Sequence, residues 1–303
     1  MSIDILQEKI FALRNPSVVG LDPKPDYIPA DIMEKCEAEY GPTLRAAAEA
    51  YRLYGKGLID ALWDVVPAVK PQAAYYEALG PDGYAVLKDT CDYAREKGMY
   101  VILDAKRGDI GTTAEAYSRA YLGTVEVFGK TLEPFGCDSL TVNTYLGTDG
   151  IKPFYETCLA RNRAIFALVK TSNPSSGELQ DLAIDGKKVY ERAAERLTEL
   201  SVGAAGRYGY GPIGAVVGAT YPEELSALRK AFPSLFFLVP GYGAQGGSAD
   251  DVKGAFDKNG GGAVVNSSRG IICAYKKRGG SFDGAARDAA LEMREALRKA
   301  AGL

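Results

Sequence analysis

Residues 101–114 read VILDAKRGDIGTTA, an apolar run that stops abruptly at a cluster of charge. Val101, Ile102 and Leu103 are followed at once by Asp104, Lys106, Arg107 and Asp109. Gly108 and Gly111 then interrupt the extended pattern before a helix-like stretch begins. A short, nearly continuous apolar run that leads through a turn into a helix is what a parallel strand covered on both faces looks like. Such strands belong to α/β folds, and the charge at this one sits at its C-terminal end.

The same shape recurs along the chain. Strands are predicted at residues 17–22 (SVVGLD), 65–70 (VVPAVK), 100–106 (YVILDAK), 139–143 (SLTVN), 165–171 (IFALVKT), 213–219 (IGAVVGA), 235–240 (LFFLVP) and 263–267 (AVVNS). Helix-like segments separate them, among them 43–62, 83–97, 114–128, 187–200, 222–231 and 285–300. Eight strand–helix alternations predict a (β/α)8 TIM-type barrel. An open doubly wound sheet would more often carry a G-x-G-x-x-G turn after its first strand, where this chain has GLDPKP. No low-complexity linker divides the sequence. Residues 1–303 therefore read as one barrel domain with a short N-terminal extension and a C-terminal helix.

Polar residues gather where the apolar runs end: Asp22, Lys70, Asp104, Lys106, Asn143, Thr144, residues 170–173, Gln245 and residues 267–269. In a barrel those positions line one mouth. Asp104 and Lys106 are two apart on a strand, which would turn their side chains to the same face. Lys70, on the adjacent strand, would bring a second ammonium beside Asp104. An isolated D-x-K is more often a plain rim salt bridge. Charged groups on adjacent strand ends are costly to desolvate, and that cost is met where they bind or react.

Composition narrows the chemistry. Histidine is absent, which removes Ser-His-Asp triads, HExxH zinc sites and histidine bases. With no histidine and no cysteine cluster, no metal site is expected, and no nucleotide-cofactor fingerprint stands out. Proton transfer must rest on Lys, Asp, Glu, Tyr or Cys. The net charge is −3 without a long basic tract, so nucleic acid is not an expected partner. Five cysteines without a C-x-x-C pair suit a reduced, cytoplasmic protein. The first fifteen residues are too charged for a signal peptide, and no apolar run is long enough to span a membrane.

An alternating array of Lys70, Asp104, Lys106 and Asp109 has a chemical use. A carboxylate at Asp104 held against a substrate carboxylate would repel it. Lys106 would stabilise the carbanion left when CO2 departs and then protonate it. Repulsion vanishes in the transition state while cationic attraction grows.

These residues resemble a known pattern. DAKRGDIGTT (104–113) is similar to the D-x-K-x-x-D-I-x-x-T signature of the orotidine 5′-monophosphate decarboxylase family, in its longer bacterial branch. GLDP (20–23), VK (69–70), KTSNPSSG (170–177), PGYGAQGG (240–247) and NSSRG (266–270) follow the family in the same order. The resemblance implies a cofactor-free enzyme that converts orotidine 5′-monophosphate to UMP and CO2. It implies that Asp22 and Lys70 hold ribose hydroxyls and orient the array, that Asp104 presses on the substrate carboxylate, and that Lys106 donates the proton to C6. Asp109, Ile110 and Thr113 look like residues supplied by the neighbouring subunit of a homodimer with shared sites. Ser172 resembles the serine that reads the pyrimidine amide edge, with Asn173 and Pro174 beside it. Gln245 and Arg269, next to Ser268, look like the phosphate-gripping pair.

The family often has proline after Asp-Ile, and here it is Gly111, which would loosen the turn. Histidines that many relatives carry are replaced by Pro71, Gln72 and Asn143, whose roles stay open. Tyr75 and Tyr76 read as packing. Other readings also remain open at this point. They are a metal-dependent sugar-phosphate decarboxylase or synthase of the same barrel superfamily, a Schiff-base aldolase using Lys106 or Lys170, and a non-catalytic nucleotide-binding protein.

Overall fold

Eight parallel strands close on themselves in the computed structural model, which describes residues 1–243 and 246–303. They are β1 (Ser17–Leu21), β2 (Ala68–Pro71), β3 (Tyr100–Arg107), β4 (Ser139–Val142), β5 (Ala164–Lys170), β6 (Ile213–Val217), β7 (Phe236–Val239) and β8 (Ala263–Ser267). Each pairs with its sequence neighbours, and β8 pairs with β1 to complete the barrel. All eight coincide with the apolar runs. The second begins later than predicted, because Pro67 has no N–H to give and the ladder starts at Ala68.

Alternation along the strands sorts residues into two apolar layers. Val18, Ala68, Ile102, Phe166, Phe236, Leu238 and Val264 fill the barrel interior. Val19, Val69, Val101, Leu140, Ile165, Val217, Phe237 and Val265 face the surrounding helices. Outer helices include Leu44–Leu62, capped by the Thr43 hydroxyl on Ala46 N, Gly80–Glu96, Pro222–Ala231 and Phe282–Ala301.

The N-terminal extension is part of the barrel. Residues Ser2–Leu13 form a helix whose Ile3, Leu6 and Ile10 are fully buried in the interior cluster. Their spacing puts them on one helical stripe. The Ser2 hydroxyl lies 2.8 Å from that of Tyr100 and donates to the Asp138 carbonyl at 3.0 Å, both groups at strand beginnings. The helix therefore stoppers the N-terminal end and leaves the other end open.

The helix expected over 114–128 is corrected. It runs Gly111–Tyr121, and a hairpin of Val125–Val127 and Lys130–Leu132 follows. Gly123 and the β-branched residues after it stop the helix, and Phe128 and Gly129 turn with φ +53° and +71°, the positive pair a two-residue hairpin requires. A second small ribbon, Ala183–Ile184 with Lys187–Lys188, takes the start of the helix expected at 187. That helix runs Val189–Leu200.

Candidate active site

The open end of the barrel is built around β3, and β3 is not a regular strand there. Its pairing with β4 slips between Leu103 and Arg107, and Lys106 has φ +47°, left-handed backbone that costs a side-chain-bearing residue roughly 1–2 kcal/mol. The simple alternation argument for Asp104 and Lys106 is therefore replaced by a bulge. Thr141 holds the bulge: its hydroxyl accepts from Ala105 N at 3.0 Å and Lys106 N at 2.9 Å, and donates to Asp104 Oδ1 at 2.9 Å. Backbone strain thus falls on a lysine that borders the cavity, the kind of place where functional sites store it.

Asp104 is the hub. Its Oδ2 accepts from Lys70 Nζ at 2.6 Å and Gln72 Nε2 at 3.0 Å. Its Oδ1 accepts from Lys106 Nζ at 2.6 Å as well as from Thr141. Asp104 and Lys70 are buried, at 6% and 4% exposure, while the Lys106 side chain is 46% exposed and reaches into the mouth. Burial pushes the Asp104 carboxyl up, but the Lys70 and Lys106 ammonium groups outweigh it and hold the carboxyl well below the usual carboxylate range. Burial likewise opposes charge on Lys70, and Asp104 and Asp22 override it, so its pKa is raised. Asp104 and Lys70 are thus both ionised at neutral pH.

The array floors a cavity of about 490 Å³, within the range of small-molecule sites. Asp22, Lys70, Asp104, Lys106, Ser172, Asn173 and Ser268 all stand in its wall, as expected from the sequence. Arg269 lies in an adjoining cavity of about 210 Å³, together with Lys24 and Tyr27. The two share Asp22, Gly241, Asn266 and Ser268. Pro174 is exposed and outside both. Asp109, Ile110 and Thr113 also lie outside both. Asp109 accepts Ile110 N at 2.8 Å, and Ile110 and Thr113 are exposed. Gln245 lies outside the described residues.

The open assignments resolve in part. Gln72 joins the array. Asn143 instead caps a turn by accepting Tyr145 N at 2.9 Å and faces an outer groove. Gly111 has φ +54°, which proline cannot adopt, so the local turn differs from the proline form. Tyr76 packs, at 1% exposure, and Tyr75 stands in the wall of the smaller cavity with Lys24 Nζ 5.3 Å from its ring centre. Lys170 is fully buried and bonds Asp181 at 2.6 Å, beside the Tyr221 ring and away from the mouth. Thr141, Asn266 and Lys24 were missed. Thr141 and Asn266 are inward polar positions on strands four and eight, so strand alternation could have found them.

The outer groove, about 690 Å³, is larger than the mouth cavity. Its walls are the helices Thr148–Arg161 and Val189–Leu200, and its arginines 192 and 196 pair with Glu195 and Glu199. It lacks the converging charge of the mouth, so size alone does not locate the chemistry. Among the described residues no group of three or more His, Cys, Asp or Glu is placed to hold a metal, and no helix is long and apolar enough to cross a membrane.

A closed β/α barrel with two lysines set against one buried aspartate at its C-terminal mouth defines a TIM-barrel enzyme with a charged cavity. Residues 53–279 match the family model described as "Orotidine 5′-phosphate decarboxylase / HUMPS family", and the chain belongs to that family. It is 48% identical over 295 residues to an orotidine 5′-phosphate decarboxylase of Rhodopirellula baltica, covering 94% of this chain and 96% of that one. It is 43% identical to a protein of the same name from Caldicellulosiruptor bescii, covering 90% of each. The solved OMP decarboxylase of Leishmania donovani superposes with a TM-score of 0.75 at 31% identity, covering 98% of this chain and 99% of that one.

Proposed function

We propose that this chain decarboxylates orotidine 5′-monophosphate to UMP and CO2, with Asp104 and Lys106 doing the chemistry and no metal or cofactor. The observation that carries the reading is the Asp104 carboxylate fixed between two ammonium groups at the cavity floor. A substrate carboxylate placed there meets an anion that cannot be protonated at neutral pH. When the bond from C6 to the carboxylate breaks, CO2 leaves and the electron pair stays on C6. Lys106 Nζ faces that developing charge and transfers its proton to it. The unfavourable contact disappears and the favourable one strengthens, so the site binds the transition state better than the substrate. Lys70, held by Asp104 and buried, keeps the carboxylate aimed.

The remaining residues divide the substrate between them. Ser172 and Asn173 offer polar groups to the pyrimidine, Asp22 to the ribose, and Arg269 with Ser268 to the phosphate. Gln245 would complete the phosphate grip. Asp109, Ile110 and Thr113, which leave their own cavity, are assigned to the site of a partner subunit. The cytoplasm suits five free cysteines, four of them buried.

The test is loss of orotidine monophosphate absorbance in the presence of EDTA. Wild-type protein is expected to turn over undiminished. Lys106→Ala should lose about 10²–10⁴-fold in kcat, the usual worth of a positioned proton donor, while UMP binding persists. Wild-type turnover abolished by EDTA would overturn the metal-free mechanism, absence of turnover with or without EDTA would favour the sugar-phosphate enzymes, and strong turnover by Lys106→Ala would remove the proton donor.

A further inference from the structure

We propose that Asn266 reads the sugar: its carboxamide oxygen accepts a hydrogen bond from a ribose hydroxyl at the neck between the two cavities. The proposal rests on the nucleotide reading above and adds a residue to it.

Asn266 sits on β8 where Val264 faces the barrel interior and Val265 faces the helices, so alternation turns Asn266 inward. It is 8% exposed and stands in the walls of both cavities. Its Nδ2 donates to Ser268 Oγ at 3.4 Å, which orients the amide. Its Oδ1 is buried and has no hydrogen-bond partner among the described residues. Buried amides that serve only packing are almost always satisfied within the protein. An orphaned acceptor at a ligand-sized neck is therefore addressed to a donor that arrives with the ligand.

Asp22 Oδ1, in the same shared wall, is also buried and without a partner among the described residues. The neck thus presents two acceptors. Between them β1 carries Gly20, two residues beyond Val18, which pairs with Asn266. A methyl group there would lie 1.9 Å from Ser268 Oγ and 3.2 Å from Asn266 Oδ1. Glycine leaves room for the Asn266–Ser268 pair. On one side of the neck lie Lys24 and Arg269, suited to an anion, and on the other the charged array. A linker that joins a phosphate to a reacting ring and carries two hydroxyl donors fits this arrangement, whereas a deoxy sugar leaves one acceptor stranded.

The experiment is a binding cycle by calorimetry, which needs no turnover. UMP, 2′-deoxy-UMP and 3′-deoxy-UMP are titrated into wild type, Asn266→Ala and Asn266→Ser. Asn266→Ala is expected to weaken UMP binding roughly tenfold, the size of one ordinary hydrogen bond. That loss is expected to vanish for one of the two deoxy ligands, because the same bond is missing there in wild type. Equal weakening for all three ligands in both variants would mark a structural role and overturn the inference, as would no weakening. The wild-type orotidine monophosphate assay separates the two levels. Turnover with a flat cycle sinks Asn266 alone, and absence of both turnover and UMP binding sinks the function and this inference together.

Discussion

Asp104 accepts four donors, and that arrangement has a measurable consequence for stability. Its folded pKa is depressed, so the stabilisation it contributes is present above its unfolded value near ~3.9 and is lost as pH falls through the lower folded value. Asp104→Asn strands the buried Lys70 and should cost about 3–5 kcal/mol at pH 7 in urea unfolding. The difference from wild type should hold steady down to about pH 5 and narrow below about pH 4. A difference that widens with acid would contradict the ionised state of the hub. At the same scale Lys106 shows how a side chain can be legible while its backbone is not. The D-x-K spacing announced the pair, but the left-handed turn at Lys106 depends on Thr141, a residue on another strand.

Individual elements show where pattern and structure part. The eight apolar runs became eight strands because each alternates or persists as a both-faces-covered strand must. The helix predicted to reach residue 128 stops at Tyr121, since Gly123 is a poor helix former and Thr124, Val125 and Val127 favour extended backbone once the hairpin can close. Phe128 at that turn is 99% exposed with φ +53°. It buries nothing and adopts backbone that Asn takes more readily. Phe128→Asn should therefore raise stability by up to about 1 kcal/mol, read as a higher Tm. A lowered Tm would mean that Phe128 makes a contact in the assembled protein.

At the scale of the whole molecule two claims can be tested. The N-terminal helix closes the barrel floor, so Leu6→Ala should destabilise by about 2–5 kcal/mol, as a fully buried core leucine does. A small effect in thermal unfolding would make the helix a peripheral attachment. The second concerns assembly. If Asp109 serves a neighbouring subunit, inactive Asp109→Ala and Lys106→Ala proteins, unfolded and refolded together, should regain about a quarter of wild-type activity. Half of randomly mixed two-fold dimers are hybrids, each with one intact site. No recovery, with mixed dimers demonstrated by mass, would place Asp109 outside the reaction.

Local chemistry was enough for the sequence to determine the barrel, its polar mouth and the partners Lys70, Asp104 and Lys106, because strand period and strand-end charge are properties of neighbours in the chain. Only the tertiary structure decided the rest. The first thirteen residues became a floor because their apolar stripe found the open strand beginnings. Thr141, Asn266 and Lys24 entered the site because β4, β8 and the loop after β1 converge on it from distant parts of the chain. Gly20 became necessary because Ser268, some 250 residues away, needs the space a side chain would fill. Closure of a barrel brings such residues together, and their spacing along the chain carries no trace of the distance between them in space.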